Sequence, residues 1–279
     1  ASDVYKRQGF GHGETVRNRV KSILDQLTPL GLEFEKNISE SKDTLFLTEH
    51  HMVGLPEDYC EIRKKESGIY AIDLSYPSYS PFMKYAESDS ARKALRFMYW
   101  NRSSDENLSI LDSLIFFRNQ LAEILDYPSY ADYVTEILMT ENGNRVWEFE
   151  KSLHEIIMPK ALDDYNRMLE IKSHETGKYE SVIESWEYDR YEHLLKLKQF
   201  RLDSKKISEY FELTRVINGL FEICTQLFGI EFTQVDNPSV WHEEVTMYEV
   251  YEEDDNILIG RFYLDLFPRA DKYLSLIHI

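Results

Sequence analysis

The chain has 279 residues, 43% hydrophobic and 29% charged, with 11 glycines, 8 prolines and a formal charge of −18. This composition excludes a disordered or collagen-like chain and fits a helix-rich globular one, long enough to bury a sizeable core. The acidic balance argues against nucleic acid and anionic membranes as partners, since both select basic surfaces.

The 19 tyrosines and 15 phenylalanines supply large side chains for an interior. Two cysteines, Cys60 and Cys224, are too few for a disulfide framework and read as small thiols in helical segments. The first thirty residues contain no apolar run of signal-peptide type, and no stretch reaches membrane-spanning length. The expected compartment is therefore reducing and cytoplasmic.

In chain order, Val16, Val20, Ile23, Leu24 and Leu27 recur at helical spacing and predict an amphipathic helix. "IYAIDLSY" (69–76) predicts a short strand ending before Pro77. Leu111, Leu114, Ile115, Leu121, Ala122 and Leu125 predict the apolar face of a second helix. A third stripe runs Val146, Phe149, Leu153, Ile157, Tyr165, Met168, with a kink expected at Pro159. "SHETGKYES" (173–181) reads as a polar loop. A helix is predicted from an Asp203 N-cap through Ile207, Tyr210, Phe211, Ile217, Leu220, Phe221, Cys224, Leu227 and Phe228, with Gly229 just past its end. The pattern changes near Thr233. "VTMYEVY" and "ILIGRFYLDLF", separated by the acidic "EEDDN", predict a β-hairpin. In its second strand Phe262, Leu264 and Leu266 face one side, and Tyr263, Asp265 and Phe267 the other. No repeat of fixed period is present, which disfavours a helical solenoid.

Three His-Glu pairs test for a zinc-peptidase motif, in which two histidines one helical turn apart share an ion at about 2.1 Å. "HEIIM" (154–158) is helical but ends in Met158, a poor zinc ligand beside imidazole. "HETGK" (174–178) lies in the expected loop. "HEEVT" (242–246) has Thr246 in place of the second histidine and a strand-like context, where such residues lie about 13 Å apart. No catalytic, cofactor or metal residue is assigned. No glycine-rich phosphate loop, nucleophile elbow or C-x-x-C is present either.

The stretch "VWHEEVTMYEVYEEDDNILIGRFYLDLFPRADKY" nevertheless resembles the segment that thimet oligopeptidase, neurolysin and oligopeptidase A share before their zinc helix. The matching positions are Trp241, His242, Glu243, Val245, Gly260, Phe262, Tyr263, Leu264, Asp265, Leu266, Pro268, Arg269, Lys272 and Tyr273. "ISEYFELTRVINGLFEICTQLFGIEF", "LAEILDYPSYADYV", "FEKNI", "GLPED" and "YPSYSPFMKYA" are similar to further signatures of that family. Glu187 and Arg190 depart from it, replacing an aspartate and a tyrosine of the pattern that begins at Trp186.

The resemblance implies a mainly α chain: a helical lobe over 9–233, then the start of a catalytic lobe over 234–273, truncated. Residues 1–8 and 274–279 find no counterpart and are expected to be non-native. The parent would be a monomeric zinc oligopeptidase that hydrolyses short peptides in a deep channel. Its zinc ligands and general base would lie beyond Tyr273, so the fragment would bind no zinc and be inactive. Tyr263, Asp265 and Arg269 are the candidates to face the cleft. The competing reading leaves Tyr263 and Asp265 on the sheet's polar face and pairs Arg269 with an acid. A non-catalytic helical scaffold that binds peptides or proteins remains the alternative function. A cut beside the sheet would also expose apolar surface and an unpaired strand edge.

Overall fold

The structure is a computed structural model that describes residue 7, residues 9–269 and residue 272. The predicted ends, 1–8 and 274–279, and Tyr273 fall almost wholly outside the described residues. The chain divides into two compact units, one up to Leu195 and one from Lys196.

The first unit is mainly helical. Helix α1 (Glu14–Ser39) buries Val20 and Ile23. Strands β1 (Thr44–Leu47) and β2 (Tyr70–Asp73) pair antiparallel, with Leu45 opposite Ile72. Between them lie a 3-10 turn (Glu49–Met52) and α2 (Glu57–Arg63). Helices α3 (Tyr76–Tyr85), α4 (Asp89–Trp100), α5 (Ser104–Ile124), α6 (Tyr130–Thr135), α7 (Gly143–Thr176) and α8 (Tyr188–Phe200) follow, the unit boundary falling inside α8.

Three apolar clusters hold this unit together. Ile72, Phe82, Met83 and Leu95 centre the first, on the two-stranded sheet and α2–α4. Val20, Ile23, Leu121, Leu125 and Tyr133 form the second, and the predicted Val16, Leu24 and Leu27 pack against it. Met168, Ile183 and Tyr191 form the third, closing α7 onto α8.

The α1–α5 contact also carries a polar pin. Buried Asn107 donates to the Phe34 carbonyl (3.0 Å), and its amide oxygen accepts from Asn37 (2.9 Å). This pin turns α5 so that Asn107, Ile110 and Leu114 face inward. Leu111 and Ile115, predicted on the buried face, are exposed, whereas Leu121, Ala122 and Leu125 are buried as expected.

Helix α7 runs undivided through Pro159 to Thr176, so the predicted loop begins later, at Gly177 in the left-handed region. Only the C-terminal end of its predicted stripe reaches the core, through Tyr165 and Met168. Phe149, Leu153 and Ile157 are exposed.

At the other end of the unit, the "GLPED" signature has a steric basis. Gly54 adopts φ +90°, and a Cβ there would meet the Tyr85 carbonyl oxygen at 2.4 Å. Only glycine accepts both that backbone and that approach.

The second unit contains the end of α8, α9 (Ser204–Ser208), α10 (Leu213–Phe228) and a three-stranded antiparallel sheet. The single helix predicted after Asp203 is thus two. Glu212 has extended backbone (φ −60°, ψ 135°), and its carboxylate accepts from the Thr214 and Arg215 N–H groups (3.0 and 2.8 Å). That cap starts a new helix and leaves Tyr210 and Phe211 exposed in the connection. Gly229 closes α10 at φ 62°, as predicted.

Strand β3 (Ile230–Gln234), β4 (Thr246–Glu252) and β5 (Leu258–Leu264) follow in the spatial order β3-β4-β5. The predicted hairpin is β4–β5, with Tyr248 opposite Phe262 and a bulge at Val250/Tyr251. Its turn is closed by the Ile257 carbonyl accepting from the Glu252 N–H, with Asn256 at φ 53°. Phe221 of α10 stacks on Phe232 (4.3 Å), with the Tyr248 and Phe262 rings edge-on to it.

Candidate functional site

The alternation of β5 sends Phe262 toward α10 and Tyr263 to the opposite face of the sheet. There Tyr263 meets Trp241, ring centroids 5.2 Å apart. Just past the strand, Asp265 is the centre of a charged knot. Both its oxygens accept from the Arg269 guanidinium (2.6 and 2.8 Å), one from Lys272 (2.9 Å) and the other from Trp241 Nε1 (3.1 Å). Lys272 also donates to the carbonyls of Asp265 and Phe267. The Arg269 hydrogen bonds, helped by Lys272 and Trp241, hold the Asp265 carboxyl far below the usual carboxylate range; partial burial works against them. Asp265 in turn raises Arg269.

The three residues singled out from the sequence are therefore neighbours, linked through Trp241. Trp241 and Lys272 complete the group. The legible signal for Trp241 was the hairpin, which returns the chain so that residues just before β4 lie beside those just after β5. With both oxygens engaged by cations and an indole, Asp265 is a fixed anion suited to pinning Arg269 and Lys272 beside the end of β5, not a proton carrier.

"HEEVT" is a turn leading into β4, not part of the strand. Only Thr246 is in β4, the His242 carbonyl accepts from Val245 N–H, and His242 Nδ1 accepts from Glu244 N–H (3.2 Å). His154 lies on the exposed side of α7. His174 and Glu175 sit in the last turn of α7, where the exposed Glu175 pairs with Arg190.

A second polar cluster explains the departures at Glu187 and Arg190. Glu187 Oε2 accepts from Lys172 Nζ (2.7 Å) and Glu184 N–H (2.8 Å), and both charged side chains are buried. Burial opposes the Lys172 charge, but Glu187 and Glu180 outweigh it and raise the ammonium. Arg190 bonds Glu175 and the Tyr85 carbonyl. Beside them, Trp186 Nε1 donates to Asp89 (3.0 Å), and Arg92 donates to the carbonyls of Trp186, Ala86 and Glu87. The Lys172–Glu187 and Arg190–Glu175 pairs join residues 15 apart across a loop, and Trp186–Asp89 joins residues 97 apart, beyond the reach of any local periodicity.

Among the described residues, no three His, Cys, Asp or Glu side chains come together to hold a metal ion. No helix is long and apolar enough to cross a membrane among those residues.

The helical unit and the helix-backed β-hairpin lie in a sequence that matches a family of metallopeptidases. Peptidase family M3 matches residues 82–275, and the chain belongs to that family. It is similar to the thimet-like oligopeptidase of Dictyostelium discoideum, with 30% identity over 96% of this chain and 42% of that protein. Saccharolysin of Saccharomyces cerevisiae is 29% identical, over 96% of this chain and 40% of the yeast protein. Oligopeptidase A of Escherichia coli is 26% identical, over 96% and 41%. The chain thus spans about two fifths of the length of the curated relatives it matches.

Proposed function

We propose that this chain is part of a zinc-dependent oligopeptidase that hydrolyses short peptides in a channel, and that these 279 residues alone are inactive. The observation that supports the reading is the family match across residues 82–275, joined to relatives that are themselves oligopeptidases. Zinc in such an enzyme polarises the scissile carbonyl and activates water. Among the described residues, no His, Cys, Asp and Glu side chains converge as a zinc centre requires. The ligands and general base belong to polypeptide beyond Tyr273.

The contribution of this stretch is positional. Asp265, Arg269, Lys272 and Trp241 hold the chain in one course as it leaves β5, and Tyr263 and Trp241 are the side chains offered to a channel wall. The whole enzyme acts on peptides as a cytoplasmic monomer, without nucleic acid or membrane.

A quenched fluorescent peptide tests the reading. The 279-residue chain with added zinc is expected to show no chelator-sensitive hydrolysis, and the same reading frame extended to the relatives' length is expected to show it. Hydrolysis by the short chain that a chelator abolishes overturns the proposal. A continued frame without H-E-x-x-H favours the non-catalytic scaffold instead.

A further inference from the structure

Helix α10 has two apolar faces and uses one. Ile217, Phe221, Cys224 and Thr225 are its less exposed side, with Phe221 seated on the sheet. Leu213, Val216, Leu220, Ile223 and Leu227 form a second row, each 42 to 70% exposed. Their spacing alternates three and four residues along five positions. That is the spacing of a seam that packs side by side with another helix at a shallow angle, not of a face scattered at random.

A second observation points the same way. Gly219 lies mid-helix on the flank of this row, where glycine costs about 1 kcal/mol relative to alanine. Nothing among the described residues accounts for it: a Cβ built there meets no atom within 4 Å, and its φ is not in the left-handed region. A small residue beside an exposed seam is what close approach of a second backbone requires.

We infer that the Leu213–Leu227 row of α10 is the seat of a partner α-helix carrying a matching apolar seam, supplied by the remainder of the longer polypeptide. The length argues for that source. Relatives that share 96% of this chain are more than twice as long, so most of such a protein is available to cover the row. The inference rests on the reading of the chain as part of an oligopeptidase, but its test does not depend on activity.

The test is thiol accessibility. Leu220→Cys, and separately Ile223→Cys, are placed in a Cys60→Ser, Cys224→Ala background, with Glu222→Cys as the control on the polar side. Each is made in the 279-residue chain and in the reading frame extended to the relatives' length, and folding is checked by circular dichroism. In the short chain, at a dilution where sizing chromatography shows a monomer, the seam thiols should react with a maleimide as fast as the control. In the extended chain they should react at least about tenfold more slowly, because labelling must await local opening, while the control is unchanged. Equal rates in both chains overturn the inference. Protection already present in the dilute short chain also overturns it, assigning the seam to the chain's own residues. Protection without peptide hydrolysis in the extended chain leaves the inference standing and removes the functional reading.

Discussion

Asp265 shows how one side chain can organise a loop. Its carboxyl is held below its unfolded value near 3.9, so its contribution to stability is complete above about pH 4 and is lost as pH falls toward the folded value. Asp265→Asn should therefore be less stable than the parent at neutral pH and lose less stability on acidification, so that its acid unfolding, followed by tryptophan fluorescence, begins at higher pH than the parent's but with a shallower pH slope. The buried Lys172–Glu187 pair makes a different prediction. Glu187→Gln removes the closest counter-charge of the buried Lys172 ammonium, leaving Glu180 at 3.6 Å and the Val182 carbonyl, and should cost about 3 kcal/mol in urea unfolding, while replacing both with apolar residues should recover most of it. Gly54→Ala forces a Cβ against the Tyr85 carbonyl and should cost more than the ~1 kcal/mol of an ordinary loss of backbone freedom. Only the third of these sites was visible as a sequence motif. Asp265 was visible as a candidate, but its partners were not, since charge pairing among 50 acids cannot be read without distances.

At the scale of elements, periodicity located the first helix and the terminal hairpin because both are set by local geometry: 3.6 residues per turn, and alternation on either side of a turn-forming run. It found most of the inward face of α5 but put Leu111 and Ile115 on it, where the buried face instead includes Asn107, which bonds the Phe34 carbonyl, and Ile110. It ran α9 and α10 together because a glutamate cap is weak in sequence and decisive in the backbone. Helix α10 carries its own test. Gly219→Ala should raise the helicity and thermal midpoint of the 279-residue chain, since the added methyl meets nothing. In the extended polypeptide the same change should lose that gain, because the methyl would meet the partner helix.

At the scale of the whole molecule, each unit leaves large apolar side chains exposed: Phe149, Leu153, Ile156 and Ile157 on α7, and Leu213, Val216, Leu220, Ile223 and Leu227 on α10. Apolar rows of this kind favour association. The 279-residue chain should bind an apolar-surface dye when dilute and self-associate in sizing chromatography as its concentration rises, more so in high salt, which screens the repulsion of a −18 charge. A dye-negative monomer would contradict that expectation.

By itself the sequence determined the helical class, the hairpin and the resemblance that the match to Peptidase family M3 bears out, because each is written in residue types at fixed short spacings. Only the tertiary structure decided which acids meet which bases, which face of each helix turns inward and which apolar row is left exposed. Those are matters of distance between residues far apart in the chain, and no local pattern encodes a distance.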